Sequence, residues 1–419
     1  MLREHELRRH LVGEMHLRRW PALHAPMQIV QALRLVDAEA REAEFASVLS
    51  LPAGGKIAPE AGKRHIAGTL PGGIAFTWER HSEASSTTLF AAGGDEPALA
   101  AAIGWAESLP GTTLRATRIL IVEDERAAAA MLPALGFEPD DLVSCHVAGA
   151  PRIWSDFRIA GDGYGRLLIA ANALDGGDLT RAVQRVQELG NYRNLALLGL
   201  PVAQACWPLL DEAEAQLRQL GEELVRTDVR DDQLMAHLSA LSLEIARIAS
   251  SANYRMSATA AYAQLADERL HDLAPEAIRG YPSLIDFTQR RLLPAVRTCA
   301  AFGKRERQVA TRAGQFTGLL RTRIETRIEN QNGHLLASLE RSTATQLRLQ
   351  HLVEGLSVVA ISYYAIGLIG HVLDGIGHAV HGFPAETALS ALTPLVVIAS
   401  FFGLRHMRRR VLAGQAGDK

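Results

Sequence analysis

The chain has 419 residues, which is enough for two or three domains with a sizeable core. Its 44 basic and 46 acidic residues nearly cancel, so the chain lacks the net positive charge that a nucleic-acid partner favours. The three cysteines, Cys145, Cys206 and Cys299, are far apart and form no CxxC pair, which argues against a disulfide framework or a zinc ribbon. The charged N-terminus contains no apolar run typical of a cleavable signal peptide, so we expect most of the chain to lie in the cytoplasm.

Residues 1–200 predict a cytoplasmic α/β or α+β domain. Short apolar runs separated by turn-rich breaks predict strands at Ile74–Trp78, Thr87–Phe90, Arg118–Val122, Arg152–Ile159, Arg166–Ala170 and Leu195–Leu198. Helical patterns lie between them, at Met27–Val48, Pro97–Ser108, Glu125–Leu135 and Leu179–Leu189. Strands that alternate with helices are typical of a layered α/β domain. The order of the strands is left open by the sequence.

Residues 201–302 predict a helical region, because strand signals stop there. One apolar stripe repeats at alternating spacings of four and three residues, at Leu234, Leu238, Leu241, Ile245 and Ile248. This spacing is typical of a helix that packs against another helix. Pro275 and Pro282 predict a break in the helical pattern.

Residues 303–354 predict a long stalk helix, since no proline lies between Pro294 and Pro384. A heptad register can be written through Leu335, Leu339, Ser342, Gln346, Leu349, Val353 and Leu356. Polar residues in such a seam often fix the register or the oligomeric state of a coiled coil. The register therefore predicts either a self-associating stalk or an intramolecular packing stripe with two solvated breaks.

Two uncharged apolar runs follow, at residues 355–373 and 387–404. As a helix the first run is roughly 28 Å long, which is close to the hydrocarbon thickness of a bilayer. A single run of this kind also fits a buried core helix, but two runs separated by 13 residues favour a transmembrane hairpin. Pro394 in the second run is tolerated in a membrane helix when its freed carbonyl finds a neighbour.

The charges around the two runs predict an orientation. The connecting loop, residues 374–386, contains no Lys or Arg, whereas arginines precede the first run and occupy the basic tail, residues 405–419. By the positive-inside rule, both termini face the cytoplasm and the loop faces outward. We therefore expect the bacterial inner membrane as the location and the lipid bilayer as a partner.

Titratable residues provide the candidate sites. His371, Asp374, His378 and His381 surround the predicted outer loop, and their types suit a divalent cation, but a short polar loop with titratable histidines explains them better, since their spacing is not that of a known zinc site. Two other clusters are Glu14, His16 and Arg18, and Trp78, Glu79, Arg80, His81 and Glu83. A Glu–His pair in a cleft can transfer protons, but charged groups at strand ends more often form structural ion pairs. No nucleophile, metal set or cofactor fingerprint accompanies them, so we expect no enzyme activity and no cofactor.

Several segments resemble a bacterial family of predicted membrane-anchored proteins of unknown function. They are Glu14-x-His16-x-Arg18, Trp78–His81, Gly190-Asn191-Tyr192-Arg193, Tyr254-Arg255, Arg290-Arg291 with Pro294, and the stretch from Glu329–Asn332 through Glu354–Ser357 to Ser362–Tyr364. The resemblance covers nearly the whole chain and is most specific in its C-terminal third. It implies an architecture and no activity.

The arrangement of a cytoplasmic domain, a stalk, two spans and a basic tail also resembles the CorA-type magnesium channels, which form pentamers around the first span. Their Gly-Met-Asn motif is missing, since the corresponding place reads Gly367-Leu368-Ile369-Gly370-His371. The sequence thus predicts a membrane-anchored, self-associating sensing or scaffolding module. The alternative is a CorA-like cation channel, for which the neutral oxygens of Asn332, Ser342, Gln346 and Ser357 are the candidate pore lining.

Overall fold

The computed structural model describes residues 4–14, 20–59, 64–226, 228–379 and 384–415. The chain divides into two compact units, Met1–Thr317 and Gly318–Lys419. Within the described residues, the strands all belong to the first unit and the second unit is helical. The boundary between the units falls inside one helix, Leu284–Ala379.

The first unit contains a ten-stranded mixed sheet. Its strands are β1 (Met27–Leu35), β2 (Lys56–Ile57), β3 (His65–Thr69), β4 (Ala75–Arg80), β5 (Ala84–Ala91), β6 (Thr112–Val122), β7 (Val143–His146), β8 (Arg152–Ser155), β9 (Gly165–Ala170) and β10 (Glu276–Ala277). Their order is β10-β7-β8-β9-β6-β1-β5-β4-β3-β2. The β6–β9 pair is parallel, and the other neighbouring pairs are antiparallel.

The helices are α1 (Arg8–Glu14), α2 (Arg41–Leu49), α3 (Glu96–Glu107), α4 (Glu125–Met131), α5 (Gly176–Leu197), α6 (Gly199–Val225), α7 (Asp231–Leu273), α8 (Leu284–Ala379) and α9 (Ala385–Gln415). Side chains alternate between the two faces of a strand, so β1 contributes Ile29 to one core and Val30 to another. The core around Ile29 includes α5, and the core around Val30 includes α3. The sheet therefore lies between two helical layers, as the sequence predicted for an α/β domain.

The helical region after the sheet agrees with its predicted pattern except at β10, a strand between α7 and α8 that pairs with β7 and that the sequence did not predict. The stripe of α7 from Leu234 to Ile248 is buried. Helix α7 ends at Leu273 and α8 begins at Leu284, so the break indicated by the two prolines is confirmed. Helix α8 begins at Leu284, earlier than the stalk helix expected from residue 303, and it includes Pro294.

Three predicted elements are wrong or too long. Met27–Val48 is not one helix but strand β1 followed by helix α2. Leu195–Leu198 is not a strand, because its first three residues form the last turn of α5. Strand β8 ends at Ser155, and the residues that follow form a loop in which Phe157 has a positive φ of 54°.

The second unit consists of the rest of α8 and of α9. Both helices contain an 18-residue window that is long and apolar enough to cross a membrane, within Leu284–Ile376 and Glu386–Met407. In the window of α8 6 % of the residues are buried, and in that of α9 none are. The buried core helix that remained an alternative for one apolar run does not describe these two segments, since a core helix is mostly buried.

Candidate functional site

The cluster around Trp78 is part of the folded sheet domain. Trp78 is fully buried on one face of β4, and its indole N–H donates to Glu44 Oε1 at 3.0 Å. The Arg80 guanidinium lies over the rings of Phe45 and Trp78, at 5.5 and 5.1 Å from the centroids. These contacts connect β4 to α2 and place the charged groups of Glu44 and Arg80 against aromatic rings.

The other members of that cluster point elsewhere. Glu79 is half-buried beside Ser86 in the register of β4 and β5, and His81 Nε2 lies 3.3 Å from Ser86 Oγ. Glu83 follows β4 in the turn and forms an ion pair with Arg255 of α7 at 2.8 Å. The five residues are therefore divided among three environments. The Glu83–Arg255 pair is a structural ion pair of the kind that the sequence offered as the alternative, and acid–base work by this cluster stays a prediction.

The remaining candidate residues lie near the N-terminus and around the predicted outer loop, where the structure describes only some of them. Glu14 ends α1, while His16 and Arg18 lie outside the described residues. His371 and Asp374 are exposed on α8, the side chain of His378 is outside the described part, and so is His381 altogether. Among the described residues no group of three His, Cys, Asp or Glu could hold a metal ion. The metal and N-terminal sites stay predictions.

The predicted pore-lining residues all lie on α8 in the second unit. Asn332, Ser342 and Gln346 are exposed, and Ser357 is half-buried with its hydroxyl donating to the Val353 carbonyl oxygen at 2.7 Å. The exposed positions are free to meet a second chain, but a single chain does not bring them together. The pore lining stays a prediction.

A pocket of about 330 Å³ lies in the first unit between the sheet and α5. Small-molecule sites range from roughly 300 to 1,000 Å³, so this volume suits a small metabolite. Its lining comes from β6, β8, β9, the loop after β8, α5 and the start of α8. Five arginines line it, namely Arg115, Arg158, Arg166, Arg193 and Arg291. No Asp or Glu is among the lining residues.

Arg115 is held by neutral oxygens. Strand β6 alternates, so Arg115 shares the α5-facing side of the sheet with Thr117 and Ile119. Its Nη1 donates to the side-chain oxygens of Gln187 at 2.8 Å, Asn191 at 3.0 Å and Gln31 at 3.3 Å. These amides orient the guanidinium but bring no negative charge.

Gly190 permits this position of Arg115. A Cβ built on Gly190 would lie 2.7 Å from Nη2 of Arg115 and 2.9 Å from its Nε. Any larger residue on this turn of α5 would push the guanidinium away from the three amides. Gly190 and Asn191 thus act together on Arg115.

Arg193 is buried, with 7 % of its surface exposed. Its guanidinium lies over the rings of Phe157 and Phe287, at 4.6 and 5.1 Å from the centroids, and those rings stack at 4.2 Å. Its Nη1 is buried and has no hydrogen-bond partner among the described residues. A buried donor of this kind is unusual, because the lost hydration is not replaced.

The two buried guanidiniums remain charged. Burial, and next the like charge of Arg193, lowers the pKa of Arg115 to about 9. Burial lowers the pKa of Arg193 to about 10. Both values lie above neutral pH, and Arg holds its proton strongly. In the described part of the chain neither side chain forms an ion pair, so the pocket contains two uncompensated positive charges.

The outer arginines are already engaged or exposed. Arg158 is exposed and forms an ion pair with Asp141 at 2.6 Å. Arg166 Nη1 donates to the Leu135 carbonyl oxygen at 2.5 Å. Arg291 is exposed at the start of α8. In the register of β6 and β9, Arg166 lies on the face of the sheet opposite to Arg115, and the charge of Arg158 is neutralised by Asp141. Arg291 is left to add positive potential near the inner pair, which would attract an anion from solvent.

Part of this pocket lies in segments that stand out in the sequence. In the Gly190-Asn191-Tyr192-Arg193 segment, Gly190 and Asn191 position Arg115, and Arg193 lines the pocket. The glycine-rich turn Gly161–Gly165 contributes Gly163 and Gly165 to the lining. Arg115 was missed because the strand was predicted to begin at Arg118. A signal was present, since residues 113, 115, 117, 119 and 121 alternate as the inward face of a strand and one of them is Arg.

Comparison with known proteins gives one match. A family described as "Protein of unknown function (DUF3422)" matches residues 3–411, nearly the whole chain. No curated protein and no solved structure matches the chain. The resemblance to an uncharacterised family is confirmed, and the resemblance to the CorA-type channels is not.

Proposed function

We propose, for a chain that belongs to the DUF3422 family of proteins of unknown function, that it is a membrane-anchored module whose sheet domain senses an anionic ligand. The pocket beside α5 is the binding site. The observation behind the proposal is the Arg115–Arg193 pair, two guanidiniums that line one pocket without a carboxylate. Buried charges in folded proteins are normally paired, so an unpaired couple is explained by a negatively charged ligand.

The membrane anchor rests on α8 and α9. Their apolar windows are exposed over a length that suits a bilayer, and water is a poor solvent for such surfaces. A charge-poor loop between an arginine-containing stalk and an arginine-rich tail favours both termini in the cytoplasm. The anion-binding unit would then sample cytoplasmic solutes from the inner face of the membrane.

Thermal unfolding of the full-length protein in lipid nanodiscs tests the binding step. Phosphate and simple carboxylates are added at constant ionic strength, set with a chloride salt. A ligand at 100 times its Kd stabilises the folded state by about 2.7 kcal/mol, so the midpoint temperature should rise. Arg193→Met should weaken binding about 10- to 100-fold, because a charge-assisted hydrogen bond is removed.

Arg181→Met is the matched control. It removes the same charge from the same helix, but Arg181 is exposed and pairs with Asp178 of its own helix. This variant should respond to anions as the wild type does. Equal losses in both variants, or no response of the wild type to any anion, would reject the pocket as the site.

A further inference from the structure

Beyond its arginines the pocket is mostly apolar. Its floor is closed by side chains of the core that are at most 7 % exposed, namely Ile153, Leu167, Val186, Leu189, Leu284 and Leu292. The apolar surface open to a ligand comes from Ile159 and Leu197, which are 79 % and 37 % exposed, and from the half-buried rings of Phe157 and Phe287. An inorganic anion would meet the arginines but would leave this apolar surface in contact with water.

The donors converge on one end of this space. The Nε and Nη2 of Arg115, which lie beside Gly190, donate no hydrogen bond to the described residues, and neither does the buried Nη1 of Arg193. The planar fork of a guanidinium matches the two oxygens of a carboxylate or phosphate group. The phenyl rings of Phe157 and Phe287 hold Arg193 in place without adding negative charge.

The loop after β8 forms the rim. Phe157 is a bulky residue in the left-handed region, with φ 54°, and its amide donates to Ser155 Oγ at 3.1 Å. Such a backbone conformation is uncommon for an aromatic residue and is costly, so the surroundings must impose it. Here it places the Phe157 ring against Phe287 at the pocket wall.

We infer that the ligand is an organic oxyanion, with its carboxylate or phosphate head on Arg115 and Arg193 and a compact apolar body against the open apolar side chains of Phe157, Ile159, Leu197 and Phe287. This inference rests on the proposed function and specifies the ligand class of the same site. A cation is disfavoured by the five arginines, and a neutral apolar molecule would leave the guanidiniums uncompensated.

A homologous series of linear carboxylates measures the two halves of the ligand separately. Acetate, butyrate and hexanoate are titrated by calorimetry into the full-length protein in nanodiscs, with hexanamide as the neutral analogue and inorganic phosphate as the bare oxyanion. Each buried methylene should tighten binding roughly three- to fourfold. Hexanamide should bind about 10- to 100-fold more weakly than hexanoate.

The Arg193→Met variant in the same nanodiscs corrects for partition of hexanoate into lipid. In this variant the preference for hexanoate over hexanamide should fall severalfold, because only the Arg115 guanidinium is left to bind the carboxylate. If acetate and phosphate bind as tightly as hexanoate, the apolar body is rejected while the anion site stands. If hexanamide binds as tightly as hexanoate, or nothing binds to the wild type, the anion site itself is rejected and the inference with it.

Discussion

Arg193 is a buried cation and Arg115 a half-buried one, and their surroundings predict opposite effects on stability. Arg115 has three amide oxygens as partners, whereas Arg193 has a buried Nη1 with none among the described residues. Removing Arg115 would leave Gln187 and Asn191 without their donor. Removing Arg193 would abolish an uncompensated charge and leave no buried acceptor behind.

We expect Arg193→Met to leave the free energy of unfolding of the ligand-free protein unchanged or to raise it by up to about 2 kcal/mol. The gain is limited because contacts with Phe157 and Phe287 contribute about 0.5–2 kcal/mol. Arg115→Met should lower it by about 1–3 kcal/mol. Urea unfolding without added anions measures both, and a loss above 1 kcal/mol for Arg193→Met would make that residue structural rather than ligand-binding.

Single residues of the pocket could be identified in the sequence, but their grouping into one site could not. The segment Gly190–Arg193 stands out in the sequence, but its role depends on Arg115, which lies 75 positions before Gly190. Only the register of β6 against β1, and of the sheet against α5, brings the two arginines into one pocket. Pairings of this kind are non-local, and no spacing rule in one sequence specifies them.

At the level of elements, amphipathic helices were predictable and the central strand was not. Helices α3, α4, α5 and α7 have one apolar face each, and their patterns agreed with the structure. Strand β1 is buried on both faces in the middle of the sheet, so its polar residues Gln28, Gln31 and Arg34 do not alternate with a period of two. Their spacing of three residues also fits one face of a helix, which is why the sequence predicts β1 and α2 as one long helix.

The junction of α5 and α6 depends on a close approach between helices. A Cβ at Gly199 would collide with Thr259 Oγ1 of α7, and that hydroxyl already donates to the Ala196 carbonyl oxygen at 2.9 Å. Thr259 is buried and cannot move into solvent. The absence of a side chain at residue 199 thus permits the contact between α6 and α7.

Gly199→Ala should lower the free energy of unfolding by about 1–3 kcal/mol through overpacking. Gly314→Ala is the control, since Gly314 is exposed within α8 and has nothing within 4 Å of its Cβ position. There alanine should raise stability by up to about 1 kcal/mol through helix propensity. Urea unfolding followed by circular dichroism compares the two, and a stabilising Gly199→Ala would contradict the packing argument.

At the scale of the whole molecule, the apolar helices of the second unit are the part of the structure that the sequence predicts most directly. Two exposed apolar windows of α8 and α9 coincide with the runs seen in the sequence, because a membrane span requires only length and apolar character. The orientation is a separate matter that depends on charge. It can be measured with single cysteines.

Glu386→Cys should react with a membrane-impermeant thiol reagent in intact spheroplasts, whereas Ala413→Cys should react only after permeabilisation. The positive-inside rule is the reason, since residue 386 lies in the charge-poor loop and residue 413 in the basic tail. Background is low because Cys145, Cys206 and Cys299 are buried, and burial raises the pKa of Cys145 to about 11. Labelling of residue 413 in intact spheroplasts would contradict the orientation.

The heptad seam of α8 is exposed along its length in the single chain. Leu335, Leu339 and Leu349 are each more than 60 % exposed, as is Leu336 beside the seam. A seam that stays unburied in one chain favours burial between chains, whereas an intramolecular packing stripe would be covered already. The self-associating stalk stays a prediction that the oligomeric state of two variants can test.

Leu339→Lys and Leu347→Lys separate these interpretations, because both replace an exposed leucine of α8 and only the first lies in the seam. Light scattering of detergent-solubilised protein should show an oligomer for the wild type and for Leu347→Lys, and a smaller species for Leu339→Lys. A charge buried in a coiled-coil seam destabilises association, whereas one on the solvated face does not. A monomeric wild type would reject the self-associating stalk and, with it, the pore lining predicted at Asn332, Ser342, Gln346 and Ser357.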